Sequence, residues 1–403
     1  MFRFLKKRRI YLDYAAATPV RKEVFKKMKP FFSAQFANPS AIHADGVLAR
    51  TAIDTAREDI ARVLHIRVPD VYFTASGTEC NNLAILGTIE YTHSQGVAYS
   101  DIEIISTAIE HPSVSKTLDH LRALGVTVHE VVVDTEGVID TQAFRSLLSI
   151  KTVLVTFAYA NSEIGTVQPV GKIARIVRAF EKENDVRIYV HIDAAQAPLW
   201  LPCALDTLSV DMMSLDAGKC YGPKGVGVLA LRHGTTLAPT MFGGGQERGL
   251  RPGTENTSLI VGAAEALCIA QRDYEKRAEK IREICEKGIE LLESIEGIVL
   301  NGSRTQRIAN NINVSAGEID AEFAVITLDE QGISCSTKSA CSGAGGEGSA
   351  VVRYISRDES RAHSTLRFTL GEETSLLDIE TMVSALRTHI QLTKRFQSGL
   401  TIS

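Results

Sequence analysis

Short β-branched runs alternate with amphipathic stretches over most of the chain. That alternation predicts an α/β fold, a mostly parallel sheet covered by helices. The predicted strands are 71–74, 103–107, 126–133, 152–158, 188–192, 210–215 and 226–231, after a short strand and alanine-rich turn at 11–18. The predicted helices between them are 48–64, 81–91, 113–124, 144–148 and 173–182. The first carries Ile53, Ala56, Ile60 and Leu64 on one face, the helical spacing of a core-facing stripe. From about Val261 the pattern changes. One long charged helix is predicted over 263–295, then strands at 309–314 and 365–370 with helices at 321–330 and 377–393, which suits an α+β unit with an antiparallel sheet. The predicted division is a large α/β domain over 15–260 and a smaller α+β domain made of 1–14 and 261–403. A Gly/Ser-rich loop at about 335–349 belongs to the second and holds Cys341.

Composition narrows the class. A formal net charge of −4 gives no electrostatic case for nucleic acid or an anionic membrane surface. No apolar run reaches the roughly 18 residues of a membrane span. The start, MFRFLKKRRI, is basic but lacks an apolar continuation, so it reads as a solvated end rather than a signal peptide. Seven cysteines are scattered without a CxxC pair, which suits reduced thiols in a cytoplasm better than a disulfide framework or a zinc site.

Chemistry concentrates where strands end. Asp193 closes one apolar run and Lys219 follows another, so both belong at the ligand-binding edge of an open α/β sheet. A carboxylate and an amine so placed suit pyridoxal phosphate, the lysine forming the Schiff base and the aspartate keeping the pyridine nitrogen protonated. A structural ion pair between two loops is the competing reading of these two residues. Ser76, Gly77 and Thr78 stand where a strand turns into a helix, as a phosphate cup or as an ordinary helix cap. His111 and Asn161 also follow strands and fall on the same side. Cys341, among glycines and serines, is the candidate nucleophile, whereas Cys268 has the setting of inert filler.

Taken together, ASGTECNNLAI, EHPSV, NSEIGTVQPV, HIDAAQ, GKCYGPKGVG, GGGQERGLRPGTEN, SACSG and AHSTLRFTLG resemble the blocks of the cysteine desulfurases of the NifS/IscS type, in the class V aminotransferase superfamily. The likeness spans almost the whole chain. It implies the type I fold of pyridoxal-phosphate-dependent transferases, a homodimer, and conversion of L-cysteine to L-alanine with a persulfide on Cys341. That sulfur would pass to acceptor proteins of iron–sulfur assembly or tRNA thiolation. By the same resemblance Lys219 holds the cofactor and moves a proton, and Asp193 pairs with the pyridine nitrogen. Gln196 and Asn161 lie on the ring-hydroxyl side, with Asn161 also near substrate. His111 stacks on the ring, Gly77 and Thr78 hold phosphate, Thr254 reaches in from the second subunit, and Arg367 clamps the substrate carboxylate. One departure stands out: Asp216 and Gly218 occupy positions where the family usually has a phosphate-binding hydroxyl and a histidine. The other readings are a related lyase or aminotransferase, such as a selenocysteine lyase, and a scaffold with weak cofactor binding.

Overall fold

The computed structural model describes residues 9–317, 319–337 and 348–397. The basic start, apart from Arg9 and Ile10, and Cys341 with its neighbours lie outside the described residues. A two-residue strand, β1 (Ile10–Tyr11), comes first. The central sheet then uses β2 (Val71–Thr74), β3 (Glu103–Thr107), β4 (Thr127–Val131), β5 (Thr152–Ala158), β6 (Tyr189–Asp193), β7 (Met212–Asp216) and β8 (Gly227–Leu231). Their order is β2-β8-β7-β6-β5-β3-β4. β4, β3, β5, β6 and β7 are parallel, and β8 runs antiparallel between β7 and β2. The mostly parallel sheet that the alternation predicts is therefore present.

Both faces of this sheet are covered, which is why its strands read as continuous apolar runs rather than alternating ones. β5 sends Val155 and Phe157 into one apolar cluster and Leu154 into the other. The Ala44–Leu64 helix buries Ile53, Ala56, Ile60 and Leu64, the stripe that the sequence marks.

The predicted single helix over 263–295 is instead two, Thr257–Arg272 and Tyr274–Glu293. The break falls at Asp273, at φ −126° and ψ 22°. Arg277 stabilises it by donating to the carbonyls of Ala270 and Ile269 at the end of the first helix, and to Leu199 O. β9 (Ile298–Leu300), β10 (Asn311–Ala316), β11 (Ile333–Ser334) and β12 (Thr365–Thr369) follow. β12, β10 and β9 form the expected antiparallel sheet, while β11 pairs parallel with β1.

A polar line crosses the sheet below its ligand-binding edge. His191 in β6 is fully buried between Thr156 Oγ1 (2.8 Å) and Ser214 Oγ (2.9 Å). Burial pushes its pKa down to about 3. A native ring that stays neutral, while the unfolded one takes a proton below about 6.5, loses stability as pH falls through that value. Half-buried Glu110, its carboxyl pushed up to about 8 by desolvation, has the opposite dependence, so a difference measurement is needed. The stability gap between the parent and His191→Gln in urea is expected to shift against the parent by about 2 kcal/mol between pH 7.5 and pH 5. A gap independent of pH would mean that His191 is not excluded from protonation.

Candidate active site

β5, β6 and β7 end at the same edge, and their last residues open into one cavity of about 150 Å³. Asp193 is the final residue of β6, and Lys219 follows β7 on a single helical turn, Ala217–Lys219. Both line the cavity, together with Gly77, Thr78, His111, Asn161, Gln196, Asp216 and Arg367. Of the residues that sequence reasoning put together, Thr254 is not among those lining it. Thr254 is exposed, in a segment tied to the first turn of the Gly77–Ser94 helix by Arg251, which pairs with Glu79 at 2.8 Å. Cys341 lies outside the described residues.

The Asp193 carboxylate is fixed from two sides. Oδ1 accepts from the Ala195 N–H at 3.0 Å, and Oδ2 accepts from Asn81 Nδ2 at 2.8 Å. Asn81 is buried and also donates to Ser113 Oγ, while its own Oδ1 has no partner among the described residues. Asn81 went unnoticed in the sequence. The signal was its position one helical turn after Gly77, which puts it on the same face of the helix. Lys219 Nζ donates to the carbonyls of Ala15 (2.8 Å) and Ala16 (2.6 Å). Gln196 Nε2 also donates to Ala15 O, at 3.0 Å. The alanine-rich turn therefore works through its backbone, and no side chain there could have announced it.

His111 is the N-cap of the Pro112–Ala123 helix, and its Nδ1 accepts from the Ser113 N–H at 3.1 Å. The neutral ring then carries its proton on Nε2. Burial pushes its pKa down; Asp193 opposes this and Lys219 reinforces it, so the ring is held neutral beside the cavity. Asn161 Oδ1 accepts from the N–H groups of Glu163 and Ile164, and Nδ2 donates to Ile109 O. One Nδ2 hydrogen remains to face the cavity.

Arg367, in β12, has its side chain buried. Nη2 donates to Asp13 Oδ1 at 2.8 Å and Nη1 to Ser162 O at 3.0 Å, and Nε has no partner among the described residues. Backbone bonds join Arg367 to Ser336, and Ser349 Oγ donates to the buried Glu163 Oε2 at 2.6 Å. Both flanks of the undescribed stretch 338–347 are thereby tied beside the cavity.

Residues 10–382 match the family model of the class V aminotransferases. The chain is 39% identical to the cysteine desulfurase IscS of Dictyoglomus turgidum, over 96% of this chain and 95% of that one. The chain belongs to the class V aminotransferases, among the enzymes of the IscS and NifS type. A solved NifS-like protein superposes with a TM-score of 0.88 at 31% identity, covering 96% of this chain and all of the other (100%). SspA, solved in complex with cysteine, does so with a TM-score of 0.76 at 33% identity, over 90% and 98%.

This class of enzyme is pyridoxal-phosphate-dependent, and the cavity fits such a group at its ring end. A carboxylate, an amine, a neutral imidazole and the Asn81 Oδ1, which has no partner among the described residues, line the cavity and suit a protonated heteroaromatic ring with an aldehyde to hold. Among the described residues no helix is long and apolar enough to cross a membrane.

Proposed function

We propose that this desulfurase takes the sulfur of L-cysteine onto Cys341 and releases L-alanine. The observation that carries the reading is the single cavity in which Lys219, Asp193, His111 and Arg367 meet. When bound, pyridoxal phosphate supplies an electron sink next to the substrate Cα. Asp193 would keep the pyridine nitrogen protonated, and Asn81 and the Ala195 N–H hold Asp193 in turn. Lys219 would hold the cofactor's aldehyde, and its amine is the group to move the substrate α-proton. His111 would cover the ring and, neutral with its proton on Nε2, can donate that proton. Gln196 and Asn161 would bond the ring-hydroxyl side, and Gly77 and Thr78 would hold the phosphate. Arg367 receives the substrate carboxylate with its planar fork.

The sulfur step balances as L-cysteine plus the Cys341 thiol giving L-alanine plus the Cys341 persulfide. The carbon–sulfur bond breaks and a sulfur–sulfur bond forms. Three observations support Cys341. Ser336 and Ser349, on either side of the stretch that holds it, are tied to Arg367 and Glu163. Each of the six described cysteines is pushed above the usual thiol range by burial. Cys335, the nearest of them in sequence, is pushed up to about 12.

The protein acts as a homodimer, Thr254 of each subunit serving the other's cofactor; its exposure outside its own cavity supports this. The persulfide is passed to an acceptor protein of iron–sulfur assembly or tRNA thiolation, in the cytoplasm. The free thiols of all six described cysteines fit that compartment.

Incubation of the cofactor-loaded protein with L-cysteine and a reducing thiol tests the reading. Alanine and sulfide are expected to appear in equal amounts. Pyruvate with ammonia in place of alanine would overturn it in favour of a β-eliminating lyase.

A further inference from the structure

The phosphate end of the cavity already contains an anion of the protein's own. Asp216 is the last residue of β7, and its carboxylate reaches the first turn of the eighteen-residue Gly77–Ser94 helix. Oδ2 accepts from the Gly77 N–H at 3.2 Å, and Oδ1 accepts from the Gly218 N–H at 2.8 Å. The sheet dictates this contact. Thr74 of β2 and Asp216 of β7 both pair with Gly227 of β8, one on each side. A Cβ at Gly227 would lie 2.5 Å from the backbone of Ser76, so only glycine lets the helix start pack this close. Gly218 is confined too: a Cβ there would stand 3.2 Å from Asp216 Oδ1 and 3.3 Å from Lys224 Cγ. A larger residue beside Lys219 would need Asp216 or Lys224 to give by a few tenths of an ångström.

A free N–H at a helix start is the usual donor for a phosphate. Here that donor is spent on a carboxylate covalently attached to the protein, present at high effective concentration. An incoming phosphate must displace Asp216 or sit outside it, next to a like charge. The ring and aldehyde contacts, made by Asp193, His111 and Lys219, are untouched by this competition.

Resting on the cofactor reading above, we infer that Asp216 is a specificity-determining residue: it strips the phosphate of most of its binding contribution, so that the site distinguishes weakly between pyridoxal phosphate and unphosphorylated pyridoxal. Retention of the cofactor then depends on the Lys219 linkage and the ring contacts.

The test is titration of each aldehyde into cofactor-free parent, Asp216→Ser and Asp216→Asn, followed by the absorbance of the lysine-bound chromophore. Circular dichroism and melting confirm that the variants are folded. The preference for pyridoxal phosphate over pyridoxal, as a ratio of dissociation constants, is expected to rise by about tenfold to a hundredfold in both variants, the worth of one charge-assisted hydrogen bond regained. Inorganic phosphate should compete with pyridoxal phosphate in the variants and only weakly in the parent. The same ratio in all three proteins would overturn the inference and leave the cofactor reading intact. No chromophore from either aldehyde in any of them would overturn the cofactor reading, and the inference with it.

Discussion

Lys219→Ala is expected to stop turnover and erase the chromophore of the lysine-bound cofactor, while free pyridoxal phosphate still enters the cavity. Two losses combine. The amine that anchors the aldehyde is gone, and so is the base that moves the α-proton. Removing proton transfer alone costs about 10²–10⁴-fold in rate. Among the described residues no other lysine lines the cavity. Lys224 is the next in sequence, but its Nζ donates to Thr18 O at 2.7 Å and it does not line the cavity. Absorbance spectra and alanine release, measured on the same preparation, check both parts. An unchanged spectrum and rate would remove Lys219 from the chemistry.

Cys341→Ser is expected to abolish sulfur transfer to the protein and leave cofactor binding as it is. Cys335→Ser should change the rate by less than about twofold. The contrast follows from the thiolate, which is the attacking form. A thiol at about 12 is ionised to only about one part in ten thousand at pH 8. Cys335 follows β11 directly, where backbone pairing with β1 and β12 fixes its neighbours Ser334 and Ser336. Mass spectrometry after a single turnover locates the added sulfur. Finding it on Cys335 would show that the burial argument fails.

The strand ends carried most of what the sequence could tell. β3 and β5 have the bounds that their apolar runs predict, and the catalytic edge follows, because Asp193, Lys219, His111 and Asn161 each stand just past or at such an end. Backbone chemistry was not readable. The carbonyls of Ala15 and Ala16 that hold Lys219 belong to residues whose side chains say nothing. The helix break at Asp273 was hidden for a related reason: it contains neither glycine nor proline, and the device that stabilises it, Arg277, looks like any other charge on a solvated face. Asp216 was visible as a departure from the family's pattern, but its direction was not. Only the pairing of β2 and β7 across Gly227 turns its carboxylate onto the Gly77 N–H.

The pairing of β1 with β11 also constrains when the enzyme can come into being. Residues 10–13 take long-range hydrogen bonds from the far end of the chain: Ile10 and Tyr11 pair with Ile333 and Ser334, the Thr369 N–H donates to Leu12 O, and Asp13 accepts from Arg367. The turn that steadies Lys219 follows immediately. The large sheet is complete with β8, whereas the pairing of β1 with β11 joins residues more than 300 positions apart. Such distant closure is slow. The turn that holds Lys219 is thus tied on two sides, to the large-sheet loops through Thr18 and Gly218 and to β11 and β12 through the residues before it.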